Sequence, residues 1–103
     1  MCDKRSNAAQ GSTQIRIINS TGHKLTSVSL FSMKFRDLYP NDTSEYRALN
    51  FNPLEDDDMV YCEQDGEKLG RYVMPPDSTA KYFAYRLDSV GNGILYVSSF
   101  VEK

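Results

Sequence analysis

The feature that most constrains this chain is the dipeptide Asp65-Gly66, set between two extended runs, Met59-Val60-Tyr61-Cys62-Glu63-Gln64 and Glu67-Lys68-Leu69-Gly70-Arg71-Tyr72-Val73. Asp-Gly supplies the positive φ angles of a type I′ turn, and that turn's twist matches the strands on either side. A hairpin is therefore expected at 59–73. The same period-two pattern recurs along the chain. Gln14-Ile15-Arg16-Ile17-Ile18-Asn19 places Ile15 and Ile17 on one face and is followed by the turn cluster Asn19-Ser20-Thr21-Gly22. A second strand runs from about Lys24 to Ser32. Its Leu25 and Val28 are three apart, so both point inward only if a bulge lies near Thr26-Ser27.

Lys34 to Leu38 leads into the turn Tyr39-Pro40-Asn41-Asp42, and Thr43 to Leu49 reads as a further strand. Asn52 to Asp58 is an acidic loop around Pro53, and Met74-Pro75-Pro76-Asp77 ends the hairpin. Lys81 to Asp88 alternates, with Phe83, Tyr85 and Leu87 to one side. Gly91-Asn92-Gly93 then turns the chain into a last strand, Ile94 to Val101, with Leu95 and Val97 on one face and Ile94, Tyr96 and Phe100 on the other. No stretch carries apolar residues at helical spacing. Seven tyrosines and five phenylalanines, with no tryptophan, suit a pleated surface.

About seven short strands without a crossover helix predict an all-β fold, an antiparallel β-sandwich, with a small closed barrel as the competitor. A length of 103 residues fits one domain, placed at 14–103 behind a flexible tether at 1–13. The net charge of −2 offers no basic stripe, so nucleic acid is not expected as a partner. No apolar run approaches the roughly 20 residues of a membrane helix.

Cys2 follows Met1 directly and precedes a small, polar, aperiodic stretch, Asp3 to Thr13. This arrangement looks like a mature bacterial lipoprotein in which Met1 stands where a signal peptide was removed and Cys2 is the lipidation site. Each buried methylene of an acyl chain contributes about 0.8 kcal/mol, so several chains hold a soluble domain at a bilayer. The expected address is the cell envelope, facing the periplasm or the cell surface. The alternative is an accidental cysteine in a disordered start. A disulfide between Cys2 and Cys62, the only other cysteine, stays open on spacing alone.

Ile15 to Asn19 with Gly22, Leu25 and Val28, then Asp37-Leu38-Tyr39-Pro40, Thr43-Ser44-Glu45-Tyr46 and Lys81-Tyr82-Phe83-Ala84-Tyr85, resembles small uncharacterised lipoproteins of gut Gram-negative bacteria. Pro40-Asn41 stands where that pattern has Pro-Gly, and Ala80-Lys81 where it has Gly-Lys. The resemblance implies an immunoglobulin-like or transthyretin-like sandwich at a membrane and assigns no activity. Ala80-Lys81-Tyr82-Phe83-Ala84 also echoes the tyrosine corner of antibody domains, so Tyr82 is a candidate to cap a corner through backbone.

Catalytic groups are sparse. His23, the single histidine, sits in a turn, and no elbow motif surrounds a serine, so no catalytic residue, metal or cofactor is assigned. Cys62 shares a face with Val60 and reads as a small buried hydrophobe, with a reactive thiol as the minor alternative. Glu55-Asp56-Asp57-Asp58 reads as a solvated acidic loop rather than a cation site. Asp77-Ser78-Thr79 and Asp88-Ser89-Val90 fit a short O-glycosylation acceptor pattern.

The seven tyrosines exceed what so small an interior can hold. Tyr46, Tyr61, Tyr72 and Tyr96 are the candidate ligand-binding residues, because exposed tyrosine offers rigid contact area with a polar tip. The expected role is a non-catalytic, membrane-tethered accessory binding or structural module with a protein partner, monomeric as a soluble domain. A carbohydrate-binding module using exposed tyrosines is the alternative.

Overall fold

The computed structural model describes residues 13–49, 56–76 and 79–102. Cys2 and the rest of the expected tether up to residue 12 lie outside the described residues, as do Asp77 and Ser78 of the first glycosylation pattern and Glu55 of the acidic loop.

Among the described residues the chain forms eight strands and no helix. They are β1 (Gln14–Asn19), β2 (Thr26–Leu30), β3 (Met33–Lys34), β4 (Arg47–Ala48), β5 (Met59–Gln64), β6 (Glu67–Tyr72), β7 (Tyr82–Gly91) and β8 (Ile94–Glu102). Two four-stranded sheets pack as a sandwich, one in the order β4-β1-β7-β8 and the other β3-β2-β5-β6. Period-two burial builds both. Ile15 and Ile17 of β1, Phe83, Tyr85 and Leu87 of β7, and Leu95 of β8 face Val28, Leu30, Val60, Cys62 and Leu69 of the opposite sheet.

The turns carry the expected chemistry. Asp65 and Gly66 adopt φ of 51° and 83°, and Asn92 and Gly93 adopt 55° and 76°. The bulge near Thr26-Ser27 is present: the β2–β5 register shifts between Thr26 and Ser29, and Ser27 takes a φ of 51°.

Three details differ from the sequence reading. The first and penultimate long strands pair in parallel, from Gln14 opposite Tyr82 to Asn19 opposite Leu87, so that sheet is mixed rather than wholly antiparallel. Thr43 to Leu49 yields only the two-residue β4 and an isolated bridge from Thr43 to Ile18, because Ser44 turns inward. There the Ser44 hydroxyl accepts the Ile17 N–H at 2.9 Å. The corner tyrosine is Tyr85, not Tyr82. Tyr85 is fully buried and its hydroxyl donates to the Met74 carbonyl at 2.6 Å, whereas Tyr82 lies on the outer face.

Candidate functional site

Six of the seven tyrosines are exposed and only Tyr85 is interior. The four candidates do not converge on one site. Strand alternation and sheet membership send them to different surfaces.

Tyr46 belongs to the outer face of the β4-β1-β7-β8 sheet. Arg16 on β1 forks onto Glu102 on β8 with both nitrogens, Nε to Oε1 at 2.9 Å and Nη2 to Oε2 at 2.5 Å. Tyr46 lies under that guanidinium, 4.5 Å from ring centre to carbon, and donates its hydroxyl to Glu102 Oε1 at 2.7 Å. Tyr82 meets its ring edge-on, with centroids 5.0 Å apart. The hydrogen bond from Arg16 holds the Glu102 carboxyl below its ordinary range, and the hydrogen bond to Glu102 raises the Tyr46 phenol. Arg16 Nε and Nη2, both Glu102 oxygens and the Tyr46 hydroxyl are engaged with one another. The cluster ties β8 to β1 across β7 and leaves Tyr46 little to offer a ligand.

Tyr61 and Tyr72 lie on the outer face of the other sheet, where Tyr72 is 75% exposed and Met59 stands opposite it. Tyr61 faces Gly70 on β6 and Ser29 on β2. A Cβ at position 70 would come within 2.9 Å of Tyr61 Cδ1 and 3.2 Å of Met59 Cε, so the glycine leaves the space into which the Tyr61 ring leans. The strand bulge at Ser27 opens the surface beside that ring. The result is an open depression of about 550 Å³ lined by Ser27, Ser29, Asp57, Tyr61, Glu63 and Lys68, with Cys62 and Leu69 at its floor. Hydroxyls, two carboxylates, an ammonium and an aromatic ring thus converge on one wetted surface. Sequence reasoning found the bulge and Tyr61 separately. That they meet depends on β2 pairing with β5.

Tyr96 is placed apart from both, on β8, with the Arg71 guanidinium 5.9 Å from its ring centre. Two further exposed tyrosines complete the inventory: Tyr82 beside Tyr46, and Tyr39, whose ring lies 4.8 Å from Lys24 Nζ.

The remaining candidate groups sit as their sequence settings suggest. His23 is exposed in its turn. Asp88 pairs with Arg86 at 2.6 Å, and Ser89 is exposed at the β7 bulge. Cys62 is a free, buried thiol that burial pushes up to about 11. At pH 8 it is almost wholly protonated, and the thiolate is the reactive form. In a Cys2→Ser chain, iodoacetamide at pH 8 should therefore leave Cys62 unmodified over hours and label it within minutes in denaturant. Mass spectrometry reads both, and equal rates would contradict the buried placement.

Searches against protein-family models, curated proteins and solved structures each return no match to this chain.

Proposed function

We propose that this chain is a non-catalytic binding domain of the bacterial cell envelope, lipid-anchored at Cys2, that docks a protein partner through the outer face of the β3-β2-β5-β6 sheet. The observation that carries the docking half is that Tyr61 and the far more exposed Tyr72 stand on the same outer sheet face. Broad aromatic side chains with a polar tip lose little conformational freedom on contact and recur at the energetic centres of interfaces. The anchor half rests on Cys2 and the polar stretch behind it.

The depression beside Tyr61 favours one second reading, a sugar ring stacked on that tyrosine with its hydroxyls met by Ser27, Ser29, Glu63 and Lys68. The two readings part on substitution. Loss of Tyr72 removes the protein-docking surface and spares a sugar held at Tyr61, whereas Tyr61→Ala removes both. Neither residue is buried, so both variants should melt within a few degrees of the parent.

The anchor is tested with the full-length gene product expressed in a bacterial host and labelled with palmitate. The label should appear on the native chain and sediment with membranes. Cys2→Ser should abolish the label and shift essentially all of the protein to the soluble fraction. A native chain that is soluble and unlabelled would end this half of the proposal.

A further inference from the structure

Four strands form the open edges of the two sheets, and three of them are blunted. β3 and β4 are two residues long, and β6 carries the exposed charges Glu67, Lys68 and Arg71. Short length and charge are the common protections against edge-to-edge pairing. β8 has neither. It runs nine residues, and from Ile94 to Val101 it holds no charge and no proline, while Ile94, Tyr96, Phe100 and Val101 are exposed.

We infer that β8 is a self-pairing edge, along which two copies of this chain join antiparallel about a two-fold axis at Ser98. In the strand Ile94-Leu95-Tyr96-Val97-Ser98-Ser99-Phe100-Val101-Glu102, the pairs Tyr96/Phe100 and Leu95/Val101 match in character about that residue. In this register Tyr96 faces Phe100 of the second copy, Leu95 faces its Val101, and Val97 faces its Ser99. Aromatic meets aromatic on the outer face, and on the inner one Leu95 meets Val101 while Val97 meets a serine. Such cross-strand pairs are the units of sheet stabilisation.

One unsatisfied group finds a partner in the same arrangement. The Ser98 hydroxyl is shielded from water and has no hydrogen-bond partner, and the axis sets it against its own copy. The β4-β1-β7-β8 sheets of the two copies thus join into one of eight strands, with an isologous interface that closes at the dimer and leaves no new edge between the copies. The inference is independent of the anchor and of what the outer face binds.

Site-directed cross-linking in a Cys2→Ser chain tests it. Directly opposed residues of an antiparallel pair have Cα atoms about 4.5–5.5 Å apart, within the range a disulfide spans. Ser98→Cys should form a disulfide-linked dimer with itself. Tyr96→Cys and Phe100→Cys should each fail alone and cross-link when mixed. Val101→Lys sets an ammonium against Leu95 of the second copy, and in sedimentation it should raise the concentration of half-dimerisation at least about tenfold while leaving the melting of the dilute monomer unchanged. A parent chain monomeric at several hundred micromolar with no Ser98→Cys cross-link would overturn the inference. Cross-linking of Tyr96→Cys alone as efficiently as Ser98→Cys would overturn it equally.

Discussion

Replacing Asn19 by alanine should lower the melting temperature by about 15 °C, a large effect for one polar side chain. Asn19 ends β1, is fully buried, and stands at the meeting point of two loops. Its amide nitrogen lies within hydrogen-bond distance of three carbonyls, those of His23 at 2.7 Å, Leu38 at 3.2 Å and Tyr39 at 3.1 Å. Its side-chain oxygen accepts from the Thr21 N–H at 3.0 Å and the Thr21 hydroxyl at 2.7 Å. The backbone joins in, since Asn19 N–H donates to the Asp42 carbonyl and Asn19 C=O accepts from Asn41.

Truncation to alanine orphans several of these groups where water is excluded, at about 1–3 kcal/mol each for a buried unpaired group, so a total near 3 kcal/mol is reasonable. In a domain of this size each kcal/mol moves the midpoint by about 4–8 °C. Asn19→Asp should be worse than alanine, because a carboxylate would face three carbonyl oxygens. Thermal unfolding followed by circular dichroism checks both variants. A shift under about 3 °C for alanine would mean that Asn19 does not latch the loops.

The second large effect lies at the β2–β3 turn. Leu30 pairs with Met33, so Phe31 and Ser32 form a two-residue hairpin loop, and both adopt left-handed φ, at 51° and 66°. Glycine and asparagine suit these positions; a phenylalanine there is strained. What holds it is burial. The Phe31 ring is fully enclosed and meets Tyr85 edge-on with centroids 5.7 Å apart, and its N–H donates to the Met59 carbonyl. Phe31→Ala keeps the strain and discards the ring, so it should cost about 3–5 kcal/mol in urea unfolding. Ser32→Gly should act with the opposite sign. It relieves a left-handed residue at the loss of one contact, the Asp57 N–H that the serine hydroxyl accepts at 3.2 Å, for a net gain of about 0.5 kcal/mol. Equal destabilisation by both variants would show that backbone strain is not what the loop resists.

The local half of this fold is legible in the sequence. Ile15 and Ile17, Val28 and Leu30, Val60 and Cys62, and Phe83, Tyr85 and Leu87 are buried as alternation requires, because period two follows from strand geometry and needs no partner. Asp65-Gly66 and Asn92-Gly93 were readable because few residues tolerate positive φ. The Phe31-Ser32 turn was hidden for the same reason: its residues are poor formers of such turns, and only the tertiary cost of exposing the ring keeps them there.

Pairing direction was hidden as well. Nothing within Gln14–Asn19 states that its neighbour is Tyr82–Gly91, some 65 residues on, let alone that the two run parallel. The site suffered from this gap. Tyr46, Tyr61, Tyr72 and Tyr96 share an exposed character, but which outer face each occupies depends on sheet membership. Tyr46 closes a polar cluster with Arg16 and Glu102, while Tyr61 borders an open depression. The sequence also placed Tyr82 at a corner that Tyr85 occupies. The two residues have opposite strand parity, and the one facing the core is the one that reaches the Met74 carbonyl.

The Tyr46 cluster, the Asn19 latch and the open β8 edge follow from one placement, β1 lying parallel to β7 at the centre of its sheet. Backbone nuclear Overhauser contacts on the isotope-labelled chain measure that placement directly. The expected set brings Ile15 beside Phe83, Ile17 beside Tyr85 and Asn19 beside Leu87, with Phe83 facing Val101 on its other side. Contacts running the opposite way, Ile15 with Leu87 and Asn19 with Phe83, would contradict the sandwich described here, and so would their complete absence.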